Sequence, residues 1–208
     1  MKKQFELYRK EIPVIAIIRG VTPDEVIAIG CSLIKAGIKL IEVPLNSPKP
    51  FESIKRLTET FGAQCITGAG TVLTPEDVSR VKDVGGNLIV SPNTNLQVIK
   101  KSLKEGLIPF PGFATASEAF SAYEQGARHL KLFPASTYGI AHVKALKAVL
   151  PNDIDIYAVG GVNTDNAQNW LSAGVSGFGI GSDIYKPGDD PELVYQKAKI
   201  WVNLLQKD

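Results

Sequence analysis

A lysine and a glutamate stand inside two short apolar runs of the chain. Lys131 lies in HLKLFPA (residues 129–135), and Glu42 lies in LIEVPL (residues 40–45). Charged side chains are rarely buried alone, because removing them from water is costly. Burial would lower the pKa of the lysine and leave neutral amine that can attack a carbonyl, while a nearby glutamate could carry protons. These residue types therefore allow Schiff-base chemistry, and equally a buried ion pair that only closes a core.

Eight apolar runs of strand length recur along the chain, and each is followed by a stretch with helical spacing. The runs span residues 14–20, 40–45, 65–72, 87–93, 107–113, 129–135, 155–162 and 177–185. Runs with little polar alternation are typical of parallel strands covered on both faces, and the intervening helices supply the crossovers. Eight such units without a linker predict an α/β fold in which residues 1–208 form one TIM-type (β/α)8 barrel domain. A doubly wound open sheet is the alternative.

Alternation along the strands predicts which side chains face the barrel axis. Lys131, Phe133 and Glu42 would point inward, while Leu130 and Leu132 would point toward the helices. Active sites of this fold lie at the carboxyl ends of the strands, so Lys131 and Glu42 are the first candidates for a site. Polar residues expected at the same rim are Arg19, Thr71, Asn93 and Ser136.

Glycines follow the last two predicted strands, in AVGGV (158–162) and GIGSD (179–183). Glycine lets the backbone approach an anion closely, and the loops after strands 7 and 8 are where barrels commonly hold phosphate. A phosphorylated substrate is favoured, with tight turns as the alternative. Neither GAGTVL (68–73) nor GIGSDI (179–184) completes a GxGxxG, and no Walker A pattern is present, so dinucleotide and nucleoside triphosphate binding lack support.

Charge and composition exclude several classes of partner. The net charge is only +2 and the basic residues are spread along the chain, so we expect no binding of nucleic acid. The run that begins at Ile12 is interrupted and too short to span a bilayer, so we expect neither a signal peptide nor a membrane partner. Cys31 and Cys65 form no disulfide framework, which favours the cytoplasm. His129 and His142 stand far apart in no metal-binding motif, so we expect no metal and no cofactor.

Seven motifs taken together resemble the aldolases of 2-keto-3-deoxy-6-phosphosugar acids, the KDPG and KHG aldolase family, from Ile12 to about Tyr185. The motifs are EVPLNSP (42–48), GAGTVL (68–73), SPN (91–93), PGFAT (111–115), KLFPA (131–135), AVGGV (158–162) and GIGSD (179–183). The resemblance implies a class I, metal-independent aldolase on a TIM barrel, usually a homotrimer. Its substrate would be a phosphorylated 2-keto-3-deoxy sugar acid, and its products pyruvate and D-glyceraldehyde 3-phosphate.

The resemblance also implies roles for particular residues. Lys131 looks like the Schiff-base lysine of the family and Glu42 like its general acid and base. Thr71 resembles the residue that binds the pyruvyl carboxylate, and Asn93 stands near it at the predicted rim. The residues that resemble the phosphate-binding site of the family are Gly160, Gly161, Gly181 and Ser182. Those that resemble the walls of its pocket are Phe133 and Pro92.

Two branches of the family differ in the C4 epimer that they cleave. The branch that acts on the gluconate-derived epimer carries an Arg in the loop after strand 2 and a Thr just before the glycine pair. This chain has Asn46 and Val159 there, which resembles the galactonate branch, and Arg19 would supply the missing cation. A site built on a hydrogen bond to one epimer discriminates strongly, and valine removes such a partner.

Several alternatives stay open from the sequence alone. The first is an aldolase for the gluconate epimer or for both epimers. An isomerase or synthase on a phosphate-binding barrel would use the same glycine loops without an imine. A sugar-phosphate binder without catalysis would keep Lys131 and Glu42 only as an ion pair.

Overall fold

The computed structural model of the protein describes residues 1–206, which form alternating strands and helices. The strands are β1 Val14–Ile17, β2 Leu40–Pro44, β3 Ile66–Gly70, β4 Leu88–Val90, β5 Ile108–Phe110, β6 Gly112–Phe113, β7 His129–Leu132, β8 Asp155–Val159 and β9 Gly177–Ile180. The helices are α1 Lys2–Glu11, α2 Val26–Ala36, α3 Pro50–Phe61, α4 Pro75–Asp83, α5 Leu96–Lys104, α6 Ala116–Glu124, α7 Ala135–Lys147, α8 Ala167–Ser172 and α9 Pro191–Leu205.

The strands form one parallel sheet that curls into a barrel, in the order β5-β4-β3-β2-β1-β9-β8-β7-β6. The two ends of this order, β5 and β6, are consecutive pieces of the fifth predicted strand, separated by Pro111. Proline has no N–H to give to a neighbouring strand, so the ladder changes partner at this residue. The carbonyl of Pro111 accepts a hydrogen bond from the Lys131 N–H at 2.9 Å, which ties the break to β7. The predicted eight-stranded barrel is confirmed, with its fifth strand in two parts.

Side chains fill the barrel in two layers, as the strand alternation predicts. Leu130 and Leu132 of β7 belong to the larger core between the strands and the helices, the outer core. A smaller core, the inner core, lies inside the barrel and includes Leu40, Phe110 and Tyr157. Lys131 and Glu42 are the buried charged residues of the described chain, and both stand in the strands whose alternation places them on the inner face. The barrel interior is therefore mainly apolar, and Lys131 and Glu42 are the charged residues buried in it.

Helix α1 precedes the barrel and adds one helix to the eight that the sequence pattern predicts. Its Phe5 and Tyr8 are buried in the inner core, where the Phe5 ring lies 5.9 Å from Phe110 and 4.9 Å from His129. The charged sequence of this segment conceals the two buried aromatic residues, which lie three positions apart on one helical face. The prediction of eight helices is thus short by the one whose aromatic side chains pack into the inner core.

None of the helices within residues 1–206 is long and apolar enough to cross a membrane.

Candidate active site

Lys131 lies in the middle of β7, and its side chain is 6% exposed. Its neighbours in the sheet are Gly112 on one side and Tyr157 on the other. The Nζ atom stands 4.6 Å from the centre of the Phe133 ring. Burial lowers the pKa of the Lys131 amine, the cation of Arg19 lowers it further, and the carboxylate of Glu42 opposes both effects. The lysine is therefore a buried amine with an enhanced tendency to lose its proton.

Glu42 lies in β2, and its side chain is 1% exposed. Burial raises its pKa to about 7, although Lys131 and Arg19 both favour the carboxylate form. Its Oε2 atom has no hydrogen-bond partner among the described residues. A carboxyl group with a pKa near neutrality can both accept and donate a proton at physiological pH. Glu42 therefore has the properties of a general acid and base.

Lys131 and Glu42 line the same small cavity in the barrel axis, of about 10 Å³. The cavity is otherwise apolar; its other lining residues are Ile15, Ile17, Val90, Phe110, Tyr157, Val159 and Gly179. Among residues 1–206, no ion pair shorter than 4.0 Å joins Lys131 to Glu42. The two groups influence each other's pKa but do not form the direct ion pair that would simply close the core.

Arg19 lies after β1 at the carboxyl end of the barrel, and its side chain is exposed. Its Nη1 atom donates a hydrogen bond to Oδ1 of Asn46 in the segment after β2. Ser47, next to Asn46, accepts a hydrogen bond from the Gly20 N–H at 2.9 Å, which fastens the two segments together. Arg19 is close enough to shift the pKa of Lys131 and of Glu42. The sequence prediction that Arg19 provides a cation at the rim is compatible with this placement.

The glycine pair after β8 lies beside the segment that follows Lys131. Gly160 and Gly161 have φ values of +93° and +75°, which glycine adopts without strain. A Cβ at Gly160 would lie 3.5 Å from the Phe133 ring, and one at Gly161 would lie 2.6 Å from Oγ of Ser136. The Ser136 N–H also donates a hydrogen bond to the Gly160 carbonyl at 3.0 Å. The loops after β7 and β8 are thus packed together, with Phe133 38% exposed at their edge.

Val159, in β8, is the member of the predicted binding set that lines the axial cavity itself. The other predicted site residues lie after the strands on the same rim, outside this cavity. Thr71 directly follows β3 with a φ of +57°, an uncommon and strained value for a β-branched residue. The others are Pro92 and Asn93 after β4, and Gly181 and Ser182 after β9. Asn93 and Ser182 have exposed side chains.

Gly70 is a member of the site that the sequence did not reveal. A Cβ built on it would lie 1.9 Å from Oε2 of Glu42, so the carboxylate occupies the space of a side chain at this position. Its motif, GAGTVL (68–73), indicates no contact with Glu42, because that contact depends on how β2 and β3 are aligned. Within the described chain, no cluster of three or more His, Cys, Asp or Glu side chains is placed to hold a metal ion.

Fold and site together define a parallel α/β barrel whose axis holds a buried lysine and a buried carboxyl group at its carboxyl end. The chain belongs to the KDPG and KHG aldolase family, whose model matches residues 6–190.

Two relatives match nearly the whole chain. The 2-dehydro-3-deoxy-6-phosphogalactonate aldolase of Escherichia coli K12 is 46% identical over 195 residues, which cover 94% of this chain and 95% of that protein. A solved "Native KDPGal structure" is 46% identical, with a TM-score of 0.91, and the match covers 93% of this chain and 94% of that one.

A more distant relative carries information about chemistry. The KDPG aldolase of Legionella pneumophila was solved with pyruvate captured at low pH as a covalent carbinolamine intermediate. It is 28% identical, with a TM-score of 0.83, and the match covers 98% of this chain and 97% of that one.

Proposed function

We propose that this protein is a class I aldolase that cleaves 2-dehydro-3-deoxy-6-phospho-D-galactonate to pyruvate and D-glyceraldehyde 3-phosphate. The observation that carries the proposal is the pair formed by a buried lysine and a buried carboxyl group, which share one cavity without a direct ion pair. The relative of this name in Escherichia coli, at 46% identity, supports the choice of substrate.

Lys131 is the nucleophile of the proposed reaction. Its lowered pKa supplies neutral amine, which adds to the C2 carbonyl of the substrate. The Glu42 carboxylic acid protonates the hydroxyl of the resulting carbinolamine, which leaves as water, so that a protonated imine and the Glu42 carboxylate are formed. This cation then accepts the electron pair of the C3–C4 bond as the bond breaks, which yields an enamine. The carbinolamine captured in the relative from Legionella pneumophila supports this first step.

Glu42 moves the protons of the proposed reaction. As a carboxylate it accepts the proton of the C4 hydroxyl, directly or through water, while the C4 carbon becomes the aldehyde of glyceraldehyde 3-phosphate. The carboxylic acid so formed returns the proton to C3 of the enamine, and hydrolysis of the imine releases pyruvate and regenerates Lys131. A pKa of about 7 suits a group that must serve as base and then as acid.

The rim residues bind the two charged ends of the substrate in this proposal. Arg19 and Thr71, with Asn93 beside them, receive the carboxylate, and Phe133 and Pro92 form walls of the pocket. The phosphate is held by Gly160, Gly161, Gly181 and Ser182. The positive φ values of the glycine pair, and its position in the loop after β8, support this assignment.

Val159 and Asn46 select the C4 epimer in this proposal. Val159 is 6% exposed and lines the cavity beside Lys131 and Glu42, so its side chain is placed to meet the reacting end of the substrate. It offers no hydrogen bond to a hydroxyl. Asn46 accepts a hydrogen bond from Arg19, which brings the cation that follows β1 into the loop where the gluconate branch has its own arginine.

The enzyme needs no metal in this proposal, because the protonated imine at Lys131 is itself the electron acceptor. We also propose that it acts in the cytoplasm as a homotrimer. Its two cysteines are free thiols, which is compatible with a reducing compartment. Exposed apolar side chains such as Val149 and Ile200 could be covered by another copy of the chain.

The test compares kcat/KM for the galactonate and gluconate epimers. The rate is measured as the release of pyruvate, with and without EDTA. We expect cleavage that favours the galactonate epimer and is unaffected by EDTA. Lys131→Met should abolish the reaction, and Lys144→Met, which changes a lysine of α7, is the matched control that should leave it intact. Equal kcat/KM values would indicate dual specificity, and binding without pyruvate release would overturn the aldolase assignment.

A further inference from the structure

Hydrogen bonds do not fully define the position of the Glu42 carboxylate. Its Oε2 atom is buried without a hydrogen-bond partner among residues 1–206. Lys131 acts on it only over a distance greater than that of an ion pair. A buried carboxyl group normally has such partners. The shape of the surrounding space therefore contributes to its orientation.

That space is provided by Gly70 at the end of β3. A Cβ on this residue would lie 1.9 Å from Oε2 of Glu42, 2.3 Å from Cδ and 2.3 Å from Oε1. These are its three nearest atoms, so the whole carboxylate lies against the α-carbon of Gly70. In the aligned strands Gly70 pairs with Pro44, two residues beyond Glu42, which brings the side chain of Glu42 over the glycine.

The backbone of Gly70 does not explain the presence of glycine. Ten glycines of the described chain have positive φ values, and Gly70 is not among them. A residue with a side chain could adopt this strand conformation, so the requirement at Gly70 is for empty space. The positive φ of this segment falls on the next residue, Thr71, and not on Gly70. The unusual backbone conformation is therefore not the reason for glycine at position 70.

We propose that Gly70 is a positioning residue, whose missing side chain seats the Glu42 carboxylate against β3 so that it faces Lys131 across the axial cavity. This inference rests on the proposed aldolase function. A methyl group at this position would displace the carboxylate by about 1 Å or more, which is enough to reduce proton transfer about 100-fold. It would leave the amine of Lys131 in its place on β7, so imine formation should continue.

The experiment combines Gly70→Ala with a shorter acid at position 42. In Gly70→Ala we expect kcat for cleavage to fall about 100-fold, with KM little changed and with pyruvate still trapped on the protein by borohydride. Glu42→Asp shortens the side chain by one methylene and leaves room for the methyl group. In a Glu42→Asp background, Gly70→Ala should therefore lower kcat much less than it does in the wild-type background, and this smaller loss is the expected rescue. A merely structural glycine would show no such rescue.

Gly68→Ala is the matched control, because this glycine lies on the same strand and on the same face. A Cβ there would meet the backbone of Leu88, with 2.1 Å to its carbonyl oxygen, and not Glu42. It should lower stability, and Glu42→Asp should not rescue it. Rescue of both glycine variants, or normal kcat in Gly70→Ala, would overturn the inference.

Two further results separate the possible failures. If Gly70→Ala does not fold, Gly70→Ala/Glu42→Ala should fold, because the carboxylate that collides with the methyl group is gone; failure of this double variant would overturn the inference. If the wild-type protein releases no pyruvate from either epimer, the proposed function itself fails. A wild-type enzyme that cleaves, combined with no rescue by Glu42→Asp, would refute the role of Gly70 alone.

Discussion

Glu42→Gln should stabilise the fold progressively as the pH rises from 4.5 to 7. The carboxyl group is fully buried, and its pKa is raised from an ordinary 4.5 to about 7. Below pH 4.5 it is protonated in both the folded and the unfolded chain and has no effect. Between these values the unfolded chain releases the proton and the folded chain retains it, so the wild-type protein loses stability with rising pH.

The size of the effect follows from the change in pKa. A rise from 4.5 to about 7, at about 1.4 kcal/mol per pKa unit, corresponds to a loss of about 3 kcal/mol once the pH exceeds 7. Glutamine has nearly the same shape and does not titrate, so any cost of burying its amide is independent of pH. For a chain of 208 residues, about 3 kcal/mol corresponds to a difference in Tm of about 6–12 °C.

The assay is chemical denaturation of both proteins at several pH values from 4.5 to 7.5, with the free energy of unfolding compared at each pH. Repeating the pair in a Lys131→Met background provides a control. The ammonium of Lys131 holds the pKa of Glu42 down, so its removal should enlarge the dependence on pH. The difference in the free energy of unfolding between the wild-type protein and Glu42→Gln should change with pH. A difference that is the same at every pH in this range would refute the claim that burial raises the pKa of Glu42.

Two other substitutions test the rim of the barrel. Val159→Thr should raise kcat/KM for the gluconate epimer relative to the galactonate epimer by about tenfold, since a hydroxyl in the cavity supplies a missing hydrogen bond. Val162→Thr in the outer core is the control. An unchanged ratio in Val159→Thr would argue against Val159 as the selecting residue. Thr71→Gly should relieve a strained backbone and add about 1 kcal/mol to the free energy of unfolding. The same change should raise KM. A variant with lower stability, or with an unaltered KM, would contradict the role of Thr71.

Much of the site can be predicted from strand alternation. The period of two places Lys131 and Glu42 on the inner face and Leu130 and Leu132 on the outer one, and the structure has the leucines in the outer core. The sequence pattern also predicts eight strands. It does not show that the fifth would divide at Pro111, because that depends on which neighbour receives each hydrogen bond.

Contacts between loops and between strands lie beyond such patterns. The hydrogen bond from Arg19 to Asn46 joins residues 27 positions apart in two different loops. The contact of Gly70 with Glu42 depends on the register that pairs Gly70 with Pro44. Helix α1 was hidden by its charges, since only Phe5 and Tyr8 turn into the inner core. The two contacts, of Arg19 with Asn46 and of Gly70 with Glu42, are set by tertiary packing, which no local periodicity encodes.

Mass spectrometry of the protein after incubation with pyruvate and borohydride, with the adduct mapped by peptide digestion, tests directly whether Lys131 forms the imine. We expect one reduced pyruvyl adduct, located on Lys131, and none in Lys131→Met. No adduct on the folded wild-type protein, or an adduct on another lysine, would contradict the proposal that the buried lysine of β7 is the nucleophile.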